Sequence, residues 1–278
     1  MLPMKLATWN VNSITARLPH LQRWLAGARP DVLALQELKC PVEKFPAQAI
    51  AELGYTAAVH GQKTYNGVAL LVRAGLPWRE VARGVPEFDD EQARLVVAEL
   101  DEPGSEAPLI VASAYFPNGQ AMGSDKFAYK LGWIDALASW IERERLAERP
   151  FVLMGDFNIA PAPEDTHPDW PQDGILASPP ERAAFARLLS LGLVDAFRRF
   201  PQPPQSYSWW DYRQGAFRRN LGLRIDHILV SPAVLPRLRA CTIDVEPRRW
   251  ERPSDHAPVV LELAPMEQFN AMAQRAII

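Results

Sequence analysis

An α/β sandwich, two packed β-sheets with helices outside them, is the fold class this sequence predicts. Three observations predict it. Strand signals dominate the chain. Helices do not follow every strand, which argues against a doubly wound sheet. Several strands are continuous apolar runs, as expected where both faces are buried. With 278 residues, 48 % of them hydrophobic, one large domain fits as well as two small ones.

In chain order, "KLATWNV" opens as a strand. Residues 13–28 carry Leu18, Leu21, Trp24 and Leu25 at helical spacing, with Ser13 as N-cap. Strands follow at 31–37, 67–73, 94–100 and 108–116. From about Asp125 to Glu148, Phe127, Leu131, Ile134, Leu137, Trp140 and Ile141 line one helix face. A strand covers 151–157, and the Pro- and acid-rich stretch 161–180 reads as a long surface loop. Residues 179–193 start with Pro and Glu and end near Gly192, which bounds a third helix. The last strands are "QSYSWW" (205–210), "LRIDHILV" (223–230) and "APVVLEL" (257–263). One domain over residues 1–265 is expected, followed by a tail over 266–278 that is either a short docked helix or a frayed end.

Composition excludes several classes. Two cysteines, Cys40 and Cys241, cannot build a disulfide framework and read as small buried hydrophobes. The start has no apolar signal-peptide core, and no run reaches the roughly 18 apolar residues of a membrane span. A cytoplasmic protein is expected. Net charge is −3, against indiscriminate polyanion binding, yet residues 198–252 hold eleven Arg, no Lys and five acids. An all-Arg excess suits bidentate contacts to phosphate, although a solvated, ion-paired face would have the same composition.

The strands repeatedly end in polar groups: Asn10 and Asn12, Glu37 and Lys39, Tyr115 and Asn118, Asp156 and Asn158, Asp226 and His227, Asp255 and His256. Residues two apart in a strand share a face, so Asn10 with Asn12, and Asp156 with Asn158, can aim together. Any one of these is accounted for by a turn, a surface acid or a buried salt bridge such as Asp226 with Arg224. The same placement at six strand ends is not. Carboxylates gathered in one pocket need a cation among them, and the oxygen donors suit a hard one, Mg²⁺ or Mn²⁺.

The stretches "TWNVNSITAR", "LALQELK", "YNGVALL", "AYFPNG", "GDFNIAP", "SWWDYR", "NLGLRIDHILVS" and "RPSDHAPV" resemble, in order, the exonuclease III family of class II apurinic/apyrimidinic endonucleases, within the endonuclease/exonuclease/phosphatase superfamily. The resemblance covers about residues 4–263. It implies a four-layer αββα sandwich and Mg²⁺-dependent phosphodiester hydrolysis on duplex DNA, with Mn²⁺ able to substitute. The implied activities are incision 5′ to abasic sites, 3′–5′ exonuclease and removal of 3′ blocks and phosphates. The implied partner is double-stranded DNA with such lesions, met in the nucleoid by a monomer.

The resemblance also implies roles. Glu37 matches the metal ligand, with Asn10 and Asp255 close by. Asp156 matches the residue that deprotonates or orients the attacking water, and Asn158 its neighbour, which positions that water or binds a second metal. His256 matches the histidine on the scissile phosphate, Asp226 the aspartate that orients it, and Tyr115 the phenol beside the phosphate oxygens. Tyr65 and Asn66 match a minor-groove loop. Asn118, Lys126, Lys130, Arg218, Arg219 and Arg224 are candidate DNA contacts. Trp209, Leu223 and Ile225 match an apolar pocket for a flipped-out sugar without its base. The sequence departs from the pattern at Leu38, around Asp165, at Arg213 and beyond Pro265. Rival readings are a phosphatase for inositol phosphates or sphingolipids using the same metal and His256, and a DNA-binding protein without catalysis.

Overall fold

The computed structural model describes residues 3–266, 268 and 269. Its strands are β1 (Met4–Asn10), β2 (Val32–Gln36), β3 (Tyr55–His60), β4 (Val68–Arg73), β5 (Trp78–Arg83), β6 (Leu95–Leu100), β7 (Leu109–Tyr115), β8 (Phe151–Asp156), β9 (Val194–Asp195), β10 (Trp209–Trp210), β11 (Gly222–Leu223), β12 (Asp226–Val230), β13 (Leu238–Ile243) and β14 (Val259–Leu263). The helices are α1 (Ile14–Ala28), α2 (Ala47–Glu52), α3 (Asp125–Arg143) and α4 (Pro179–Ser190). One six-stranded sheet runs β13-β14-β1-β2-β4-β3 and the other β5-β6-β7-β8-β12-β9, with β10-β11 as a separate ribbon. Both large sheets are mixed: β1 and β2, and β7 and β8, pair in parallel, and the other pairs are antiparallel.

Strand alternation builds the layers. Leu6, Val32, Ala34 and Leu70 of the first sheet meet Val96, Val111, Val152, Met154 and Ile228 of the second in a shared central core. The intervening residues Ala7, Trp9, Leu33, Leu35 and Leu71 face outward onto Ile14, Leu21, Trp24 and Leu25 of α1. On the opposite side Leu95, Val97, Ile110, Phe151 and Leu153 face outward onto Trp133, Ile134, Leu137 and Ile141 of α3 and Phe185 and Leu188 of α4. The result is the four-layer αββα sandwich.

Helix signals are borne out with trimmed ends. The Ser13 hydroxyl accepts from the Ala16 amide and caps α1. The helix expected from about Asp125 to Glu148 stops at Arg143, and a short 3₁₀ turn covers Leu146–Glu148. Four strands lacked a signal: β3, β5, β9 and β13. The stretch 223–230 is not one strand. It breaks at Arg224 and Ile225, where the chain leaves the β10-β11 ribbon for the second sheet. Of the 266–278 tail, Met266, Gln268 and Phe269 are described, and the Phe269 amide donates to the Pro265 carbonyl at 3.1 Å; the rest lies outside the described residues. No helix among the described residues is long and apolar enough to cross a membrane.

Candidate active site

Sheet register brings the polar strand ends together. Asn10 lies beside Gln36 in the parallel β1/β2 pair, so Asn10 and Glu37 leave the first sheet at one edge. Tyr115 lies beside Asp156 in the parallel β7/β8 pair, and Asp226 lies opposite Asp156 across β8/β12. His256, which precedes β14, bridges to Trp209 of the ribbon. Both sheets thus present their functional ends at one rim.

The "GD" of "GDFN" has a packing reason. A Cβ on Gly155 would drive into the carbonyl oxygen of Ala114 on the neighbouring strand, so only glycine lets β7 and β8 approach just before Asp156. Asp156 Oδ1 then accepts from the Asn158 amide at 2.9 Å, which turns the chain; Asn158 takes a left-handed φ of 51°. Glu37, with φ 52°, is held in the same sparsely populated region. Such strain concentrates where surrounding structure fixes a functional side chain.

The Asn10 amide nitrogen donates to Glu37 Oε1 and Asp156 Oδ2, each at 2.9 Å, and so ties the two sheets together. Lys39 Nζ pairs with Glu37 Oε2 at 2.9 Å. Ligand atoms of Glu37, Asp156 and His256 all lie within 4.8 Å of one another, close enough to hold one metal ion. His256 Nδ1 is 2.9 Å from Asp226 Oδ2, and its Nε2 is 3.7 Å from Asp156 Oδ2. Burial works against charge on His256, but Asp226, Asp156 and Asp255 outweigh it and push the imidazole up to about 10. These acids favour the imidazolium form, in which the two carboxylates are the anionic donors. Asp156 is pushed up to about 7, first by burial and then by Asp226 and Glu37, with His256 and Asn10 opposing. A carboxylate crowded in this way is relieved by a cation. An oxygen donor set with no thiolate fits a hard divalent ion.

Asp226 is oriented by a residue without a sequence signal. The Ser208 hydroxyl donates to Asp226 Oδ2 at 2.6 Å and accepts from the Ile225 and Asp226 amides. The Tyr115 phenol contacts Glu37, and burial, then Glu37 and Asp156, raise it well above its ordinary range, so it stays protonated. Arg94, which also carried no signal, stacks over the Tyr115 ring with its Cζ 5.0 Å from the centroid. Asp255 stands outside the compact trio: its oxygens accept from Asn12 Nδ2 and Trp209 Nε1, each at 3.0 Å. Asn158 accepts from Asn118 and donates to the Phe116 carbonyl.

Two expected DNA contacts are corrected. Lys130 is fully buried; its ammonium pairs with Glu181 and donates to the Asn158 carbonyl at 2.7 Å and the Asn118 carbonyl at 3.2 Å. Arg224 is equally buried, between Asp165, Asp195 and His227 Nδ1. Neither reaches a phosphate; both are internal braces, and the Arg224–Asp165 pair absorbs the acid whose surroundings were unusual in sequence. Asp226 is likewise not the Arg224 partner. Asn66 turns inward, its amide donating to Gln62 and Gln92, while Tyr65 projects with 68 % of its surface exposed. Lys126, Arg218, Arg219 and Asn118 are exposed.

Trp209, Leu223 and Ile225 do gather, in a small apolar cluster with Ala160, Leu176, Ala177, Trp170 and Ile175. The 161–180 loop supplies half of it, and Trp170 meets Trp209 edge-on with centroids 6.2 Å apart. Trp210 packs as an ordinary buried aromatic.

Paired acids at a rim, an acid-oriented imidazole and a phenol kept protonated are the parts of a phosphoester hydrolase. Residues 7–256 match the model of the Endonuclease/Exonuclease/phosphatase family. The chain belongs to that family, in its exonuclease III branch. It is 36 % identical to exodeoxyribonuclease III of Haemophilus influenzae over 93 % of this chain and 99 % of that one. Among solved structures, the 3′-5′ exonuclease NExo of Neisseria meningitidis is 44 % identical with TM-score 0.87, covering 94 % of this chain and all of that one. An AP endonuclease of Archaeoglobus fulgidus is 34 % identical with TM-score 0.86, over 94 % of this chain and 99 % of that one.

Proposed function

We propose that this rim cleaves duplex DNA with Mg²⁺ bound, cutting 5′ to abasic sites and trimming blocked or phosphorylated 3′ ends. The chain is a DNA repair nuclease, a phosphodiester hydrolase of the exonuclease III type. The observation that carries the proposal is the convergence of Glu37, Asp156 and His256 within 4.8 Å, with Asp226 behind His256. Relatives support it: one Neisseria structure is a 3′ phosphatase bound to a product DNA hairpin.

Glu37 and Asp156 would hold the ion, with Asn10, Asn158 and Asp255 beside them. Bound there, Mg²⁺ supplies charge neutralisation at the phosphate oxygens. His256, protonated at neutral pH, adds a second positive charge, aimed by Asp226 and Ser208. Asp156 takes the proton of the attacking water, held in place by the Asn158 amide. Tyr115 donates its hydroxyl hydrogen to a phosphate oxygen. Tyr65 inserts into a groove, Lys126, Arg218, Arg219 and Asn118 hold the backbone, and the Trp209–Leu223–Ile225 cluster receives a sugar that lacks its base. The proposed unit is one catalytic domain over 1–265, acting as a monomer on cytoplasmic, nucleoid DNA.

The test compares nicking of a duplex oligonucleotide bearing one abasic site with phosphate release from soluble phosphoinositides, both across a Mg²⁺ titration. Nicking that requires the metal supports the proposal. Phosphoinositide hydrolysis without nicking would replace it, and metal-insensitive DNA binding without cleavage would reduce the chain to a binding protein. Rates on abasic, 3′-phosphate and undamaged 3′ ends then rank the activities.

A further inference from the structure

Outside the rim, a cavity of about 620 Å³ opens beside the β10-β11 ribbon, lined by Trp210, Phe217, Arg218, Arg248 and Arg249 among others. Adjacent residues of a strand face opposite ways, so Trp209 turns toward the apolar cluster and Trp210 toward this cavity. Arg248 is the unusual wall residue. It is only 6 % exposed, and among the described residues Asp255 acts on it electrostatically without a salt bridge being formed. Its Nε is buried without a hydrogen-bond partner. What surrounds it is aromatic: its Cζ lies 4.9 Å from the Phe217 centroid and 5.8 Å from that of Trp210. A buried guanidinium with an unmet donor is costly, and an anion in the cavity beside it would offset its charge. Arg218 lies exposed on the same wall, and Arg249 makes a solvent-exposed pair with Glu246 at 3.6 Å and lies 5.9 Å from the Phe217 centroid.

Arg248 also touches the active site. Its Nη1 donates to the Ser254 carbonyl, and the Ser254 hydroxyl donates to the Asn10 carbonyl and accepts from the His256 amide. The cavity therefore shares a side chain with the loop that carries Asp255 and His256.

We propose that this cavity is a phosphoryl-binding subsite in which Arg248 and Arg249, with Arg218, grip a phosphate group away from the scissile one. The phosphate comes from the backbone of the bound duplex or from free inorganic phosphate. The first source rests on the DNA reading above. Occupation would draw on Arg248, and through Ser254 steady the His256 loop.

The experiment measures duplex affinity by fluorescence anisotropy across a salt series with chelator present, for the full chain and for Arg249→Ala and Arg248→Met. Each lost phosphate contact lowers the slope of log affinity against log salt by about 0.9. The expected result is a slope reduced by about one unit in each variant. In parallel, inorganic phosphate is titrated against tryptophan fluorescence. A phosphate-dependent change that both variants lose, with unchanged duplex slopes, assigns the subsite to free phosphate. Wild-type slopes in both variants together with no such change overturn the proposal. If Arg248→Met does not fold, Arg249→Ala on its exposed side chain decides alone. Nicking of abasic duplex is scored separately: nicking with wild-type slopes and no phosphate response sinks the subsite and leaves the nuclease standing, whereas altered slopes without nicking do the reverse.

Discussion

Replacing Lys130 with Met separates an internal brace from a DNA contact. The ammonium is fully buried, pairs with Glu181 and donates to two carbonyls, those of Asn118 and Asn158. Burial lowers its pKa from the ordinary lysine value and Glu181 opposes that shift, so the pair is mutually dependent. Removing one partner of a buried pair costs roughly 3–5 kcal/mol, because a charge is left uncompensated. Here Glu181 keeps donors from the Leu176 amide, the Ser178 amide and the Ser178 hydroxyl, which places the loss toward the lower end, about 3 kcal/mol. At about 2–4 °C per kcal/mol for a domain of this size, the melting temperature should fall by roughly 6–12 °C. Lys130→Met/Glu181→Gln should recover part of it. The measurement is urea and thermal unfolding of both variants, with the salt slope of duplex binding taken alongside. A single variant that loses under about 1 kcal/mol, while its salt slope drops by about 0.9, would show an ammonium directed at phosphate and refute the argument.

Three further outcomes follow from the site. Asp156→Asn should lower turnover by about 10²–10⁴-fold with duplex affinity changed only a few-fold, read by single-turnover nicking; a near-normal rate removes it as the base. Glu37→Ala should shift the Mg²⁺ titration of activity to far higher concentration, and an unchanged curve takes Glu37 out of the metal site. His227 accepts from Arg224 at Nδ1 and so donates from Nε2 to the Ile159 carbonyl, which fixes it as neutral. Burial, then Arg224, lowers it to about 3. The unfolded chain binds its proton first, so stability is full above about pH 6.5 and declines as pH falls toward about 3. His227→Gln should flatten that part of an unfolding series, and an unaltered slope would mean that His227 does not titrate this way.

The strands legible in the sequence share one property. Those read from apolar runs, β1, β2, β4, β6, β7, β8, β12 and β14, are all interior to the two large sheets, while β3, β5, β9 and β13 are the four edges. Interior strands are buried on both faces and read as apolar runs. An edge strand such as "WREVAR" is mostly exposed and reads as nothing in particular. The chemical residues were legible for a related reason, since Asn10, Glu37, Tyr115 and Asp156 sit where an apolar run stops and Asp226, Asp255 and His256 where one starts. Ser208 and Arg94 were not, because a small hydroxyl before two tryptophans and an arginine before a strand carry no pattern. Lys130 and Arg224 were misread for the opposite reason: charge in sequence suggests the surface, and only the fold supplies the buried acids that pair with them.

The Asp226–His256 contact and the Asn10 bridge from Glu37 to Asp156 each span the seam between the two sheets. Neither sheet owns a working half. During synthesis Asp226 and His256 emerge last of these groups, so a growing polypeptide cannot cut DNA until its two slabs have clasped. Partial unfolding should likewise silence cutting before it erases the circular-dichroism signal of the strands, a built-in safeguard for a protein whose misplaced activity would break the very molecule it mends.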